Sequence, residues 1–137
     1  MNLPTETTGP TGADARLQGL RVLVLEDEAI VLLMIEDLLA ELGCTVVGPA
    51  GTVTEALALA EAGGFEAALL DLNLGRGETS YPVADLLAER QVPFAFVTGY
   101  SADVLAPPHD GRPILEKPFW GDALSNVLKR LVEGAAA

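Results

Sequence analysis

The sequence contains a single cysteine, Cys44, among 137 residues. One thiol cannot build a disulfide framework, and its place beside an apolar segment predicts a buried structural thiol in a reducing compartment. Basic residues are also scarce, since eight Lys and Arg stand against 20 Asp and Glu and give a formal net charge of -12. A surface with this charge repels phosphates, so we expect no binding to nucleic acid.

Long apolar runs are missing as well. The most apolar segment, "AIVLLMIEDLLAEL", contains Glu36 and Asp37 and falls short of the ~20 apolar residues that a membrane helix needs. Residues 1–18 are rich in Thr, Pro and Gly and have neither the basic start nor the apolar core of a signal peptide, which predicts a flexible tail. We therefore expect a cytoplasmic protein that does not associate with membranes.

The apolar residues that are present fall into five short runs separated by helical segments. Half of all residues are hydrophobic, and the chain length suits one domain. The runs lack the alternation of a half-exposed strand, which indicates a parallel sheet covered by helices on both faces. These predicted strands read "RVLVLE", "TVVGPA", "FEAALLD", "PFAFVTG" and "RPILEK". The segment "SADVLA", after the fourth strand, predicts at most a short helix because two prolines follow it.

Chemically active side chains follow four of the predicted strands. Glu26 and Asp27 follow the first strand, Asp71 ends the third, Thr98 ends the fourth and Lys117 ends the fifth. The carboxyl ends of parallel strands share one edge of the sheet, where such folds place their chemistry. Gathered acids call for a cation, and Mg²⁺ suits a site with few carboxylates. The carboxylate of Asp71 could then attack phosphorus, while Lys117 and Thr98 hold the phosphoryl oxygens.

Four segments in this order resemble the signature segments of response regulator receiver domains: "VLVLEDE", "ALLDLNLG", "FVTGYS" and "LEKPF". The resemblance extends over about residues 20–132. It implies an α/β, doubly wound, flavodoxin-like (βα)5 fold, with five parallel strands in the order 2-1-3-4-5. It also implies a two-component phosphorelay in which the chain accepts a phosphoryl group from a sensor histidine kinase. Such a domain assists its own phosphorylation and dephosphorylation and is not an enzyme in the usual sense.

The resemblance assigns a role to each residue of the strand-end cluster. Asp71 is the implied phosphoacceptor, and Lys117 is the lysine of the site, followed by Pro118 in what is often a cis peptide bond. Thr98 is the switch hydroxyl. The implied protein ligands of Mg²⁺ are Asp27 directly, Glu26 through water, the acceptor Asp71 and the backbone carbonyl of Asn73.

One position departs from the common receiver pattern. Ile114 stands three residues before the lysine, where most receivers carry an aromatic switch residue. The run "PFAFVTGY" instead resembles the FATGUY subgroup of stand-alone receivers, with Val97 in place of an alanine. We therefore expect Tyr100, or the loop "GRGETS", to carry the signal outward, and Asn73 and Tyr100 to influence the lifetime of the phosphorylated state.

The first helix predicts a partner surface. Its first seven residues, "AIVLLMI", are all apolar, so they cannot all face the sheet. We expect Ile30, Val31 or Met34 to contact the kinase, unless residues 1–18 or the second subunit of a weak homodimer cover this face. A histidine phosphotransfer protein or a downstream regulator is a further possible partner. Only "EGAAA" follows the last predicted helix, which predicts a receiver domain at residues 19–134 without an output domain.

Other functions for the same residues are less consistent with the sequence. A phosphatase of the haloacid dehalogenase type would need a second acid two residues after Asp71, where the chain has Asn73. A phosphotransfer role for His109 is disfavoured because it lies in a Pro-rich turn. The alternative that stays open is a phosphorylation-independent pseudo-receiver that acts as a protein-interaction adaptor.

Overall fold

The computed structural model describes residues 15–99 and 105–136, and they form a doubly wound α/β domain. The five strands are all parallel and lie in the order β2-β1-β3-β4-β5, which confirms the fold predicted from the sequence. The strands are β1 Arg21–Leu25, β2 Thr45–Ala50, β3 Ala67–Asp71, β4 Phe94–Thr98 and β5 Ile114–Glu116. The α-helices in the described residues are α1 Ala29–Glu41, α2 Val53–Ala62, α3 Tyr81–Glu89 and α4 Gly121–Ala136.

The sheet separates two hydrophobic cores, which explains why its central strands β1, β3 and β4 are apolar at every position except one end. On β1, Val22 and Val24 belong to the core beneath α1 and α4, whereas Leu23 and Leu25 belong to the core beneath α2 and α3. Every residue of β3 and β4 is buried. Because a strand points successive side chains to opposite faces, a strand covered on both sides is apolar at successive positions between its ends.

Helix ends follow the local sequence. The Thr52 hydroxyl accepts a hydrogen bond from the backbone N–H of Glu55 at 3.1 Å and caps the start of α2. Gly63 ends the same helix with a φ of 73°, a conformation that glycine adopts without strain. None of the helices in residues 15–99 and 105–136 has both the length and the apolar composition needed to cross a bilayer.

Residues 15–18 belong to the packed domain, although the sequence placed them in a flexible tail. Ala15–Leu17 form a short 3-10 turn, and Leu17 is completely buried in the core beneath α1 and α4. The Cys44 thiol donates a hydrogen bond of 3.4 Å to the Leu17 carbonyl oxygen, which ties the turn to the start of β2. Burial raises the pKa of that thiol to about 11, as expected for a structural cysteine.

The connection from β4 to β5 is anchored by a buried histidine. His109 stacks on Tyr81 of α3, with ring centroids 5.9 Å apart, and meets Phe94 and Phe96 edge to face. Its Nε2 lies 2.7 Å from Asp85 Oδ1. The Pro-rich turn predicted around His109 is therefore held against α3. Tyr100 and most of "SADVLA" lie outside the described residues.

Candidate functional site

The strand-end residues converge on one cleft, with a volume of about 550 Å³, at the carboxyl edge of the sheet. Asp71 and Thr98 are the last residues of adjacent strands β3 and β4, and Lys117 directly follows β5. The backbone N–H of Lys117 donates to the carbonyl oxygen of Thr98 at 2.8 Å, which fixes the two residues side by side. The cleft is lined by Asp27, Glu28, Asp71, Asn73, Leu74, Gly75, Thr98, Gly99 and Lys117.

Three carboxylates meet at the base of this cleft. Glu26, Asp27 and Asp71 each offer an oxygen atom, and these atoms lie within 4.8 Å of one another. Glu26 and Asp71 are buried, whereas Asp27 is exposed. Burial, the hydrogen bond to Glu26 and the negative charges of Glu26 and Asp27 raise the pKa of Asp71 from 3.8 to about 8, against the opposing effect of Lys117. In the metal-free cleft these effects favour the protonated form of Asp71.

The cluster has the properties of a site for a hard divalent cation. Glu26 Oε1 is buried and accepts no hydrogen bond among the described residues, although the Lys117 ammonium lies 3.6 Å from it. A buried acceptor without a donor is costly, and a cation in the cluster would satisfy it. Oxygen ligands in an open cleft that admits water match the preferences of Mg²⁺. The acidic cluster therefore fits the Mg²⁺ expected from the sequence.

The ammonium of Lys117 balances part of this negative charge. Its Nζ lies 2.8 Å from Glu28 Oε1, 3.5 Å from Asp71 Oδ2 and 3.6 Å from Glu26 Oε1. Burial lowers the pKa of Lys117, but the hydrogen bond to Glu28 and the three negative charges outweigh that effect and raise it overall. The lysine is therefore charged throughout the physiological pH range. The Lys117-Pro118 peptide bond is cis, as the resemblance implied.

The loop after β3 closes the other side of the cleft. The backbone N–H of Gly75 donates to Asp27 Oδ2 at 2.8 Å. A Cβ atom at Gly75 would lie 3.2 Å from the same oxygen, so only glycine allows this approach without displacing the carboxylate. Asn73 is exposed on the cleft wall and forms an isolated antiparallel bridge with Thr79.

The remaining predicted residues lie elsewhere. Ile114 is half-buried at the start of β5, opposite Phe96, and is not part of the cleft wall. On α1, Ile30 is 83% exposed, whereas Val31 and Met34 are half-buried and pack against the core. Leu33, which the sequence reading did not select, is 61% exposed.

Sequence reasoning missed two contributors to the cleft. Glu28, the second Glu of "EDE", forms the shortest contact of the Lys117 ammonium. The sequence did contain an indication of this role, because an acid that directly follows two acids of the site can reach the lysine that they contact. The Gly75 amide left no comparable signal, since any residue other than proline has a backbone N–H.

Comparisons with known proteins identify relatives that match most of the chain. SdrG from Sphingomonas melonis Fr1, whose solution structure is known, is 43% identical, with 85% of this chain and 98% of that one covered and a TM-score of 0.75. The transcriptional regulatory protein PdtaR from Mycobacterium tuberculosis is 33% identical over 116 residues, which are 82% of this chain and 56% of PdtaR. The response regulator PhyR from Brucella abortus is 27% identical, with 92% and 55% covered and a TM-score of 0.75.

SdrG and PhyR, the two relatives with solved structures, share the fold of the domain described above. No family model matches the chain. The chain spans about half the length of the curated relatives it matches. SdrG is matched over nearly its whole length and well above 30% identity. The chain therefore belongs to the response regulator receiver domains.

Proposed function

We propose that this receiver domain accepts a phosphoryl group from the phosphohistidine of a sensor histidine kinase onto Asp71. The arrangement of Asp71 supports this role more than any other observation. Its carboxyl group ends the central strand, lies beside two further acids and has a lysine ammonium 3.5 Å away. A nucleophilic carboxylate, a candidate cation site and a fixed positive charge are thus combined in one cleft.

The transfer needs only the phosphohistidine, the ionised Asp71 and a proton from water. A carboxylate oxygen of Asp71 attacks phosphorus and forms a P–O bond, and the P–N bond of the donor histidine breaks. The imidazole nitrogen keeps the electron pair and takes up the proton from water. Asp27, Asp71 and the Asn73 carbonyl would hold Mg²⁺ directly and Glu26 would hold it through water. The ion would neutralise the carboxylates and attract the phosphoryl oxygens.

The residues around Asp71 would stabilise the product. Lys117 contributes an ammonium and Thr98 a hydroxyl, both on the cleft wall, as partners for the phosphoryl oxygens. Asn73 is exposed beside them and is placed to admit or exclude the water that hydrolyses the acyl phosphate. With Ile114 in place of an aromatic residue, we propose that the signal leaves through Thr98 and Tyr100.

The exposed end of α1 is the proposed kinase surface. Ile30 is 83% and Leu33 61% exposed on a helix that begins two residues after Asp27. Exposed apolar side chains beside the acceptor site suit a partner that must bring a phosphohistidine to Asp71. Val31 and Met34 would support this surface from the half-buried side of the helix. The same surface would serve a histidine phosphotransfer protein or a downstream regulator in the cytoplasm.

Intact mass spectrometry after incubation with acetyl phosphate and Mg²⁺ tests the proposal. The wild type should gain one phosphoryl group, whereas Asp71→Asn should gain none. Asp37→Asn, which removes an exposed carboxylate from α1, is the matched control and should behave like the wild type. If the wild type gains no phosphoryl group but still binds a partner through α1, the result would favour the adaptor role of a pseudo-receiver.

A further inference from the structure

The ammonium of Lys117 contacts Glu28 more closely than it contacts the acceptor. Nζ donates a hydrogen bond of 2.8 Å to Glu28 Oε1, whereas Asp71 Oδ2 is 3.5 Å away. The Glu28 side chain is 61% exposed, and that of Asp71 only 4%. The ammonium is thus drawn toward the mouth of the cleft and away from its base.

The contact is built into the backbone around the site. Glu28 occupies the position before α1, but its side chain makes no capping hydrogen bond to the helix. Its backbone N–H donates to Glu26 Oε2 at 3.1 Å, which fixes Glu28 relative to the acidic cluster. The Glu28 carboxylate is therefore positioned by the site and is not required by the helix.

We propose that Glu28 is a positioning residue that holds Lys117 at the mouth of the cleft and competes with the phosphoryl group for its ammonium. This inference rests on the proposed function, because it concerns the lysine that would hold the phosphoryl group on Asp71. Loss of the Glu28 carboxylate frees the ammonium to move inward. Anion binding at Asp71 then becomes tighter because no hydrogen bond has to be broken first.

Trifluoroberyllate, an anion that mimics a phosphoryl group on a carboxylate, provides the test. Its affinity is measured by titration at saturating Mg²⁺ for the wild type, Glu28→Gln and Glu28→Ala. Both variants should bind it about two- to five-fold more tightly, the range expected for releasing a solvent-exposed ion pair. Glu116→Gln is the matched control, because it removes the same charge from the residue next to Lys117. No hydrogen bond or ion pair in the described residues joins Glu116 to the ammonium.

Two further measurements separate positioning from a general change in charge. The Mg²⁺ affinity of Glu28→Gln should be equal to or weaker than that of the wild type, because a nearby negative charge is lost. The ε-carbon chemical shift of Lys117, measured by NMR at one fixed pH, should change in Glu28→Gln but not in Glu116→Gln, because only Glu28 accepts a hydrogen bond from the ammonium.

Each outcome decides the inference. The inference is supported if both Glu28 variants bind trifluoroberyllate more tightly than the wild type and Glu116→Gln does not. Equal gains in Glu116→Gln and Glu28→Gln overturn it, as do unchanged affinities in the Glu28 variants. A wild type that binds Mg²⁺ but not trifluoroberyllate overturns the proposed function itself, and the inference with it.

Discussion

Replacement of Asp71 by asparagine is expected to stabilise the metal-free protein, and the gain should grow with pH. The pKa of Asp71 is raised from 3.8 to about 8 by folding, with burial as the largest cause. A folded state that binds a proton more tightly than the unfolded state has its full stability below the unfolded pKa. That stability is lost as pH rises toward the folded pKa. Asparagine does not titrate in the folded or the unfolded state, so the variant does not lose stability as the pH rises.

The magnitude follows from the size of the shift. One pKa unit corresponds to about 1.4 kcal/mol, so Asp71 should lower the free energy of unfolding by up to that amount per pH unit. The slope extends from about pH 4 to about pH 8 and ends there, where the folded carboxyl also ionises. At pH 7 the accumulated cost has an upper bound of roughly 4 kcal/mol, a large fraction of the stability of a small domain.

Urea unfolding followed by circular dichroism measures this effect. The wild type, Asp71→Asn and the exposed control Asp37→Asn are unfolded in EDTA at several pH values between about 5 and 8. The stability difference between Asp71→Asn and the wild type should widen with pH, and Mg²⁺ should narrow it by stabilising the wild type. Parallel pH profiles for these two proteins would refute the reasoning, because they would show that Asp71 titrates alike in both states.

Two other substitutions and one alkylation reaction test separate parts of the structure. Leu17→Ala should lower the free energy of unfolding by about 2–5 kcal/mol, measured in urea, because it opens a cavity in a closed core. In the native protein at pH 8, Cys44 should react with iodoacetamide far more slowly than in urea, because burial keeps its thiol protonated. Ile30→Glu should slow phosphotransfer from a cognate kinase by at least about ten-fold, the loss expected for a central contact residue. The same variant should keep the wild-type rate with acetyl phosphate.

Controls and contrary results are equally specific. Arg16→Ala, beside Leu17 but exposed, should cost less than about 1 kcal/mol; an equal loss would show that the turn is not held by burial. Similar alkylation rates of Cys44 in folded and unfolded protein would contradict its burial. Equal loss of phosphorylation from kinase and from acetyl phosphate in Ile30→Glu would place the defect in the cleft and not in docking.

The clustering of the strand-end residues was predictable because it depends on patterns that are local in sequence. Asp71, Thr98 and Lys117 each follow a short apolar run, and parallel pairing alone brings such positions together. The contact between Glu28 and Lys117 was not predictable in this way. A lysine with three carboxylates in reach takes the one that its side-chain geometry allows, and only distances decide that.

Composition did not reveal the burial of two other residues. Leu17 lies in a stretch dominated by Thr, Pro and Gly, and the overall composition of that stretch does not indicate that one leucine in it is buried. The sequence placed His109 in a Pro-rich turn, where the structure also has it, but did not predict that its ring is buried. Its partners in space, Tyr81 and Phe94, belong to α3 and β4, more than ten residues away in the chain. Periodicity cannot reveal packing between such distant segments.

The position of Asp71 on the middle strand has a wider consequence. The side chains of β3 enter the two cores alternately, Ala67 and Leu69 on one face and Ala68 and Leu70 on the other. Asp71 therefore lies at the end of a strand that packs against the helices on both faces of the sheet. Two proteins bound to opposite sides of the domain would each be positioned to sense the same carboxylate, without having to contact one another.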